Sequence, residues 1–213
     1  MTKSSCFSAV LAVVMLSPLS SFAQSAKSWN FRAYLDGEPI GYQRFTVTQQ
    51  GEQRELRSEA RFEVKVLFIT AYTYRHDATE RWQGDCLRSI TSRTDDDGKI
   101  DNVRSHRDGE RLSITSTKGA ETVDGCTMTF AYWNPAILRQ SKLIDPQTGT
   151  YEKVAFAMLG EETIEVRGKS VSAKRYRLSG PEKPIDLWYG ADGDWLALQS
   201  TVGGGRKLSY RLE

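Results

Sequence analysis

From Trp29 onward the chain alternates apolar and polar residues in short runs separated by turn residues. This is the period-2 pattern of half-buried β-strands. The runs predict strands over Trp29–Leu35, Tyr42–Gln49, Glu55–Phe68, Ala71–Gln83, Leu87–Thr94, Ile100–Arg107 and Arg111–Ser116. A second set covers Tyr151–Met158, Glu162–Val166, Val171–Leu178, Ile185–Tyr189, Trp195–Thr201 and Leu208–Leu212. Asp36-Gly37, Asp97-Gly98 and Asp108-Gly109 stand at strand junctions, where a two-residue hairpin needs left-handed backbone. One short helix is expected, with Asn134 as its cap, Pro135 in its first turn and Ala136–Gln140 as its body.

The strongest alternation lies in Glu55–Phe68. There Phe62, Val64, Val66 and Phe68 face one way, and Arg61, Glu63 and Lys65 the other. In the next strand Tyr72, Tyr74, His76, Ala78, Glu80 and Trp82 share a parity. Between Trp82 and Phe130 no Phe, Tyr or Trp occurs, so those strands read as polar on both faces and as an exposed flank. The pattern as a whole predicts a mainly β protein. Its architecture is a strongly curved antiparallel sheet or open half barrel of about a dozen strands, with one short helix.

The first residues break this pattern. Lys3 is followed by an apolar run from Phe7 to Leu16, with Ser21 and Ala23 at the small-residue positions of a cleavage site. Residues 1–23 are therefore expected to be a signal peptide and residues 24–213 a single β domain, exported to a bacterial periplasm. The run is too short to span a bilayer, which needs ~20 apolar residues, and no transmembrane segment is expected in the mature chain.

Charge adds an exclusion. The 29 Lys and Arg residues nearly balance 27 Asp and Glu, with the signs interleaved. That disfavours nucleic acid as a partner, because phosphate binding needs a basic face. The nearest basic cluster, Arg104, His106, Arg107 and Arg111, reads as a solvated strand face. Of three cysteines, Cys86 and Cys126 lie beyond the leader, and in an oxidising compartment they are expected to form a disulfide.

Candidate chemistry is sparse. There are two histidines, His76 and His106, and the neighbours His76 and Asp77 point to opposite strand faces. Asp95-Asp96-Asp97-Gly98 lacks the spaced ligands of a calcium loop. No Gly-x-Ser-x-Gly or Ser-x-x-Lys motif is present, and no metal or cofactor is expected. Carboxylates such as Glu161, Glu162, Glu80 and Asp85 could serve a hydrolase, but the sequence singles out no pair. More distinctive are apolar residues where a turn should be, Leu67-Phe68-Ile69, and the aromatic helix entry Phe130-Ala131-Tyr132-Trp133. Both suit the mouth of a cavity or a docking patch.

Glu80-Arg81-Trp82-Gln83-Gly84, Tyr132-Trp133-Asn134-Pro135, Leu143–Gly149, Arg175–Leu178, Asp186-Leu187-Trp188-Tyr189 and Tyr210-Arg211-Leu212 form a set. The set resembles a family of bacterial exported proteins of unknown function. More distantly, the pattern is similar to the periplasmic lipoprotein carriers, open curved sheets wrapped around a short helix. That likeness implies an apolar concave face able to hold an acyl chain or another hydrophobic ligand.

The leading expectation is a non-enzymatic binding protein for a hydrophobic or lipid-like molecule, or for an apolar segment of an envelope partner. Phe62, Val64, Val66 and Phe68 would line the sheet face, and Tyr72, Tyr74, Trp82 and Trp133 would form aromatic walls. Trp188 and Trp195 are assigned to the core. A carboxylate-dependent hydrolase or transferase and a structural envelope protein remain as alternatives.

Overall fold

The computed structural model describes residues 25–213, and the expected signal peptide lies outside them. Strands β1 (Ser25–Leu35), β2 (Glu38–Gln50), β3 (Gln53–Val66) and β4 (Ile69–Gln83) begin a long meander. It continues through β5 (Cys86–Asp96), β6 (Lys99–Asp108), β7 (Arg111–Ser116) and β8 (Gly119–Asp124). A segment with a 3-10 helix, Pro135–Arg139, leads to the short pair β9 (Lys142–Ile144) and β10 (Tyr151–Lys153). A second meander follows: β11 (Ala155–Val166), β12 (Lys169–Ser179), β13 (Ile185–Tyr189), β14 (Trp195–Val202) and β15 (Arg206–Leu212).

β15 pairs antiparallel with β1, which joins the two meanders into one sheet of thirteen strands. The order runs β11-β12-β13-β14-β15-β1-β2-β3-β4-β5-β6-β7-β8. The sheet is strongly curved but unclosed: β8 and β11 do not pair with each other among the described residues. Among those residues, too, no helix is long and apolar enough to cross a membrane.

The alternation read from the sequence sets the two faces. Trp29, Phe31, Ala33 and Leu35 of β1, Leu56, Ser58, Ala60 and Phe62 of β3, and His76, Ala78, Glu80 and Trp82 of β4 are buried, with exposed or partly exposed residues between them. Inside the curve lies the segment between β8 and β11. Its Met128, Ile137, Leu143 and Ile144 are fully buried and share one apolar cluster with residues from both meanders. Asn134 caps the 3-10 helix by accepting a hydrogen bond from the Ala136 amide at 3.1 Å. The Cys86–Cys126 disulfide ties the start of β5 to this segment.

Three sequence expectations are corrected. The aromatic-free strands β5–β8 are not polar on both faces, because Leu87, Ile90, Val103, Leu112, Ile114 and Val123 bury one face. Aliphatic side chains suffice there, since the inner segment supplies the bulk packed against them. Arg107 is not on a solvated face. It is buried, donating to the Leu87 carbonyl at 2.8 Å and the Thr127 hydroxyl at 2.9 Å. The Asp108-Gly109 junction turns one residue later, at Gly109 and Glu110, leaving Asp108 in β6.

The fourth correction concerns Leu67 and Phe68. No strand runs through them: both adopt left-handed backbone, at φ 48° and 70°, and form the two-residue turn between β3 and β4. Such a turn favours Asn-Gly, because a Cβ is strained there. A bulge between Val64 and Lys65, with Ala71 as the extra residue, further offsets the tip from the alternation below it.

Candidate functional site

The inner segment fills only part of the curved sheet. Towards the end that carries the Asp36-Gly37, Leu67-Phe68, Asp97-Gly98 and Gly203–Gly205 turns, an open cavity of about 370 Å³ remains. Its sheet wall comes from Gln43 and Phe45 of β2, Ser58 of β3, Tyr74 and His76 of β4, Leu198 of β14 and Tyr210 of β15. The opposite wall is Phe130, Tyr132 and the Asp145–Gln147 turn, with Pro181 and Glu182 at the rim.

Cross-strand register brings the sheet residues together. Gln43 stands opposite Ala60, Ala60 opposite His76, and Phe62 opposite Tyr74. The Gln43 amide donates to the Ser58 hydroxyl at 2.9 Å, and His76 Nδ1 pairs with the Thr94 hydroxyl at 2.9 Å. His76 Nε2 and the hydroxyls of Tyr74, Tyr132 and Tyr210 have no protein partner among the described residues. They are therefore free to meet a solute in the cavity.

Burial sets the charge state of these groups. It depresses the His76 imidazole to about 4, so the ring is neutral at ordinary pH. Burial also pushes the Tyr74, Tyr132 and Tyr210 phenols well above their usual range, keeping them as neutral donors. Asp145 is raised by burial too, although its oxygens accept from the Gln147 amide at 2.8 Å and the Thr148 hydroxyl at 2.9 Å. The Ser92 hydroxyl donates to the Pro146 carbonyl and holds that turn over the sheet. The result is a site with aromatic and aliphatic walls and neutral hydrogen-bonding groups, with the carboxyl groups of Asp145, Glu152 and Glu182 also in its lining.

The eight residues expected to bind ligand do not form one surface. Tyr74 lines the cavity, and Phe62 lies beneath it, stacked at 5.2 Å between ring centroids. Val64, Val66, Phe68 and Tyr72 belong to the β3–β4 tip, where Phe68 is wholly exposed and Val66 is 56% exposed. Trp82 and Trp133 meet edge to face at 5.6 Å in the packed core, away from the cavity. Trp195 is core as expected. Sequence reasoning missed Gln43, Ser58 and Tyr210 as cavity residues, while Phe130 and Tyr132 of the aromatic helix entry do line it. The signal for Ser58 and His76 was present as polar residues on an otherwise buried parity.

The candidate carboxylates are otherwise engaged. Glu80 is 2% exposed and accepts from Trp82 Nε1 at 3.1 Å and the Thr129 hydroxyl at 3.0 Å. Burial raises it to about 7. Asp85 is held low by hydrogen bonds from Asn134 and Arg54. Glu162 faces Arg175 at 3.6 Å. Among the described residues no three His, Cys, Asp or Glu side chains are grouped as metal ligands.

Residues 31–213 match the model of a family described as a domain of unknown function, DUF6134. No curated protein matches the chain. A crystal structure of a beta-barrel-like protein of domain of unknown function DUF1849 from Brucella abortus shares the fold. It aligns with a TM-score of 0.63 at 10% identity, over 87% of this chain and 94% of that one.

Proposed function

The chain belongs to the DUF6134 family, and from its cavity we propose that it is a non-enzymatic binding protein for a compact amphipathic molecule. The observation that carries this reading is the pairing of aromatic walls with unpartnered neutral polar groups in one cavity. Phe45, Phe130 and Leu198 would pack an apolar body. Gln43, Ser58, His76 Nε2 and the tyrosine hydroxyls would meet a polar group. At about 370 Å³ the cavity sits at the small end of the ~300–1,000 Å³ range of small-molecule sites. A single short chain or ring system suits that volume better than a multi-chain lipid, which narrows the carrier-like expectation. Export to the periplasm is part of the proposal, supported by the leader-like residues 1–23 and by a disulfide of the kind that oxidising compartments sustain.

The hydrolase reading finds less support. Asp145 and Glu152 both line the cavity, but Asp145 is occupied in its own turn and Glu152 accepts from the Thr150 hydroxyl at 3.1 Å. The test uses N-phenyl-1-naphthylamine, a neutral amphipathic fluorophore, without lipid present. Saturable fluorescence enhancement is expected, and it should be lost in Val202→Trp, which places an indole in the cavity mouth. Equal binding by the wild type and Val202→Trp would sink the proposal, as would native mass spectra showing no bound species together with no saturable signal.

A further inference from the structure

The β3–β4 hairpin outruns its neighbours. β2 pairs with β3 only as far as Gly41–Phe62, and β5 pairs with β4 only from Asp96–Tyr74. Beyond those rungs the strands pair through Glu63–Thr73, where the Asp97 amide also donates to the Thr73 carbonyl, and then only with each other through Val64–Tyr72, Lys65–Thr70 and Val66–Ile69. Three residues of β3 and four of β4, one of them bulged, therefore project as an arm roughly 10 Å long, at ~3.3 Å per residue.

The tip of this arm is apolar and uncovered. Val66, Leu67, Phe68 and Ile69 are 56%, 86%, 100% and 72% exposed. No charge occurs from Val66 to Tyr72. The turn is also locally unfavourable, since Leu67 and Phe68 occupy left-handed positions that Asn and Gly would fill without strain. Exposed apolar side chains on a left-handed turn form a patch suited to contact with an apolar partner.

We infer that the β3–β4 arm docks the protein on a lipid surface, with Leu67 and Phe68 entering the bilayer interface. Size argues for lipid over protein. Four side chains offer roughly 500–600 Å², short of the ~800 Å² per partner of a stable protein interface, and they do so on a projection rather than a face. The arm is long enough to bury its tip by the ~5–10 Å typical of interfacial elements while its base stays in water. The charges lie below the tip. Lys65, one rung from the Val66–Ile69 pair and 60% exposed, pairs with Glu63 at 2.8 Å, and Asp95, Asp96 and Asp97 lie at the end of β5 and on its turn, with Asp97 level with Thr73. With those aspartates behind the tip, apolar insertion rather than anionic lipid drives binding.

The arm and the cavity are continuous. Phe62 and Tyr74 form the arm's root, Tyr74 lines the cavity, and Phe62 packs at 6.0 Å on Tyr210 of the same wall. A docked arm therefore turns the cavity mouth towards the lipid. The docking inference stands on the arm alone and does not depend on what the cavity holds.

The test is co-sedimentation with phosphatidylcholine vesicles, with and without phosphatidylglycerol, using protein expressed with its leader and purified in processed form. The informative variant is L67N/F68G, which installs the residues the turn geometry favours and so preserves folding. We expect the wild type to partition to both vesicle types, with little change between ~0.1 and ~1 M salt. L67N/F68G should lower the partition coefficient at least tenfold while melting no earlier. Phe68→Trp should show a blue-shifted emission on vesicle addition. No sedimentation of the wild type, or equal sedimentation of L67N/F68G, would overturn the inference. So would a concentration-dependent dimer abolished by L67N/F68G, which would assign the arm to self-association.

Discussion

Two buried titratable groups on the inward face of β4, His76 and Glu80, should nearly cancel in the pH dependence of stability. A glutamate ordinarily titrates near 4.5, and burial lifts Glu80 to about 7. Between those values the folded protein holds a proton that the unfolded chain has lost. The Glu80 contribution is therefore fully present below about 4.5 and is lost as pH rises through about 7. His76 runs the other way. Burial lowers it from 6.5 to about 4, so its contribution is present above 6.5 and is lost as pH falls through about 4. Each displacement is worth about 3 kcal/mol between its limits, at ~1.4 kcal/mol per decade of acidity. Over the shared window, roughly pH 4.5–6.5, the two slopes oppose each other. Asp145, raised by burial, sides with Glu80. Asp36, Asp85 and Asp186 are held low by their hydrogen-bond and ion-pair partners and act below this window.

The perturbation is to remove one group at a time. Glu80→Gln keeps an oxygen to accept from Trp82 and Thr129. Its stability should fall by about 2–3 kcal/mol as pH drops from 6.5 to 4.5, because only His76 remains. His76→Asn should gain stability over the same range by a similar amount. The wild type should lie between them. Urea unfolding followed by tryptophan fluorescence, with the disulfide intact, measures all three. Parallel profiles for the two variants would refute the reasoning, because they would mean that neither group is displaced by burial.

Other outcomes follow from packing and backbone. Phe62→Ala removes the ring stacked on Tyr74 and should cost about 3–5 kcal/mol in chemical unfolding. Replacing Cys86 and Cys126 together by Ser should lower stability by roughly 4 kcal/mol, and reduction of the wild type should reproduce the loss. Gly41→Ala would place a Cβ 1.9 Å from the Arg61 carbonyl oxygen at a φ of 143°, so a loss above about 2 kcal/mol or no soluble protein is expected.

Much of the fold was legible because period-2 alternation is a local signal. Arg111–Ser116 and Ile185–Tyr189 coincide with β7 and β13, and the helix cap at Asn134 is where Pro135 requires it. β8 and β9 were missed for a physical reason. Gly119–Asp124 exposes all but Val123, and Lys142–Ile144 has only three residues, so neither carries a readable alternation. The cavity was harder to see. Its walls come from two meanders far apart in sequence, and only the β15–β1 pairing brings Tyr210 beside Phe31 and the residues of β2. Parity did place Tyr74 and His76 together. It could not reveal that a bulge at Ala71 and a left-handed turn would carry Val66 and Phe68 out into solvent.

The unpaired seam between β8 and β11 also bears on how the molecule can respond to a ligand. A closed barrel fixes its girth in a ring of ladder hydrogen bonds, and widening it means breaking a full column of them. Here the girth is set by the side chains of the inner segment, wedged between the two ends of an open ribbon. An unclosed sheet can change its curvature without giving up a ladder, since β8 and β11 share none. In the proposed binding role, capacity would be a matter of curvature, and a larger guest would be accommodated by bending rather than by unfolding.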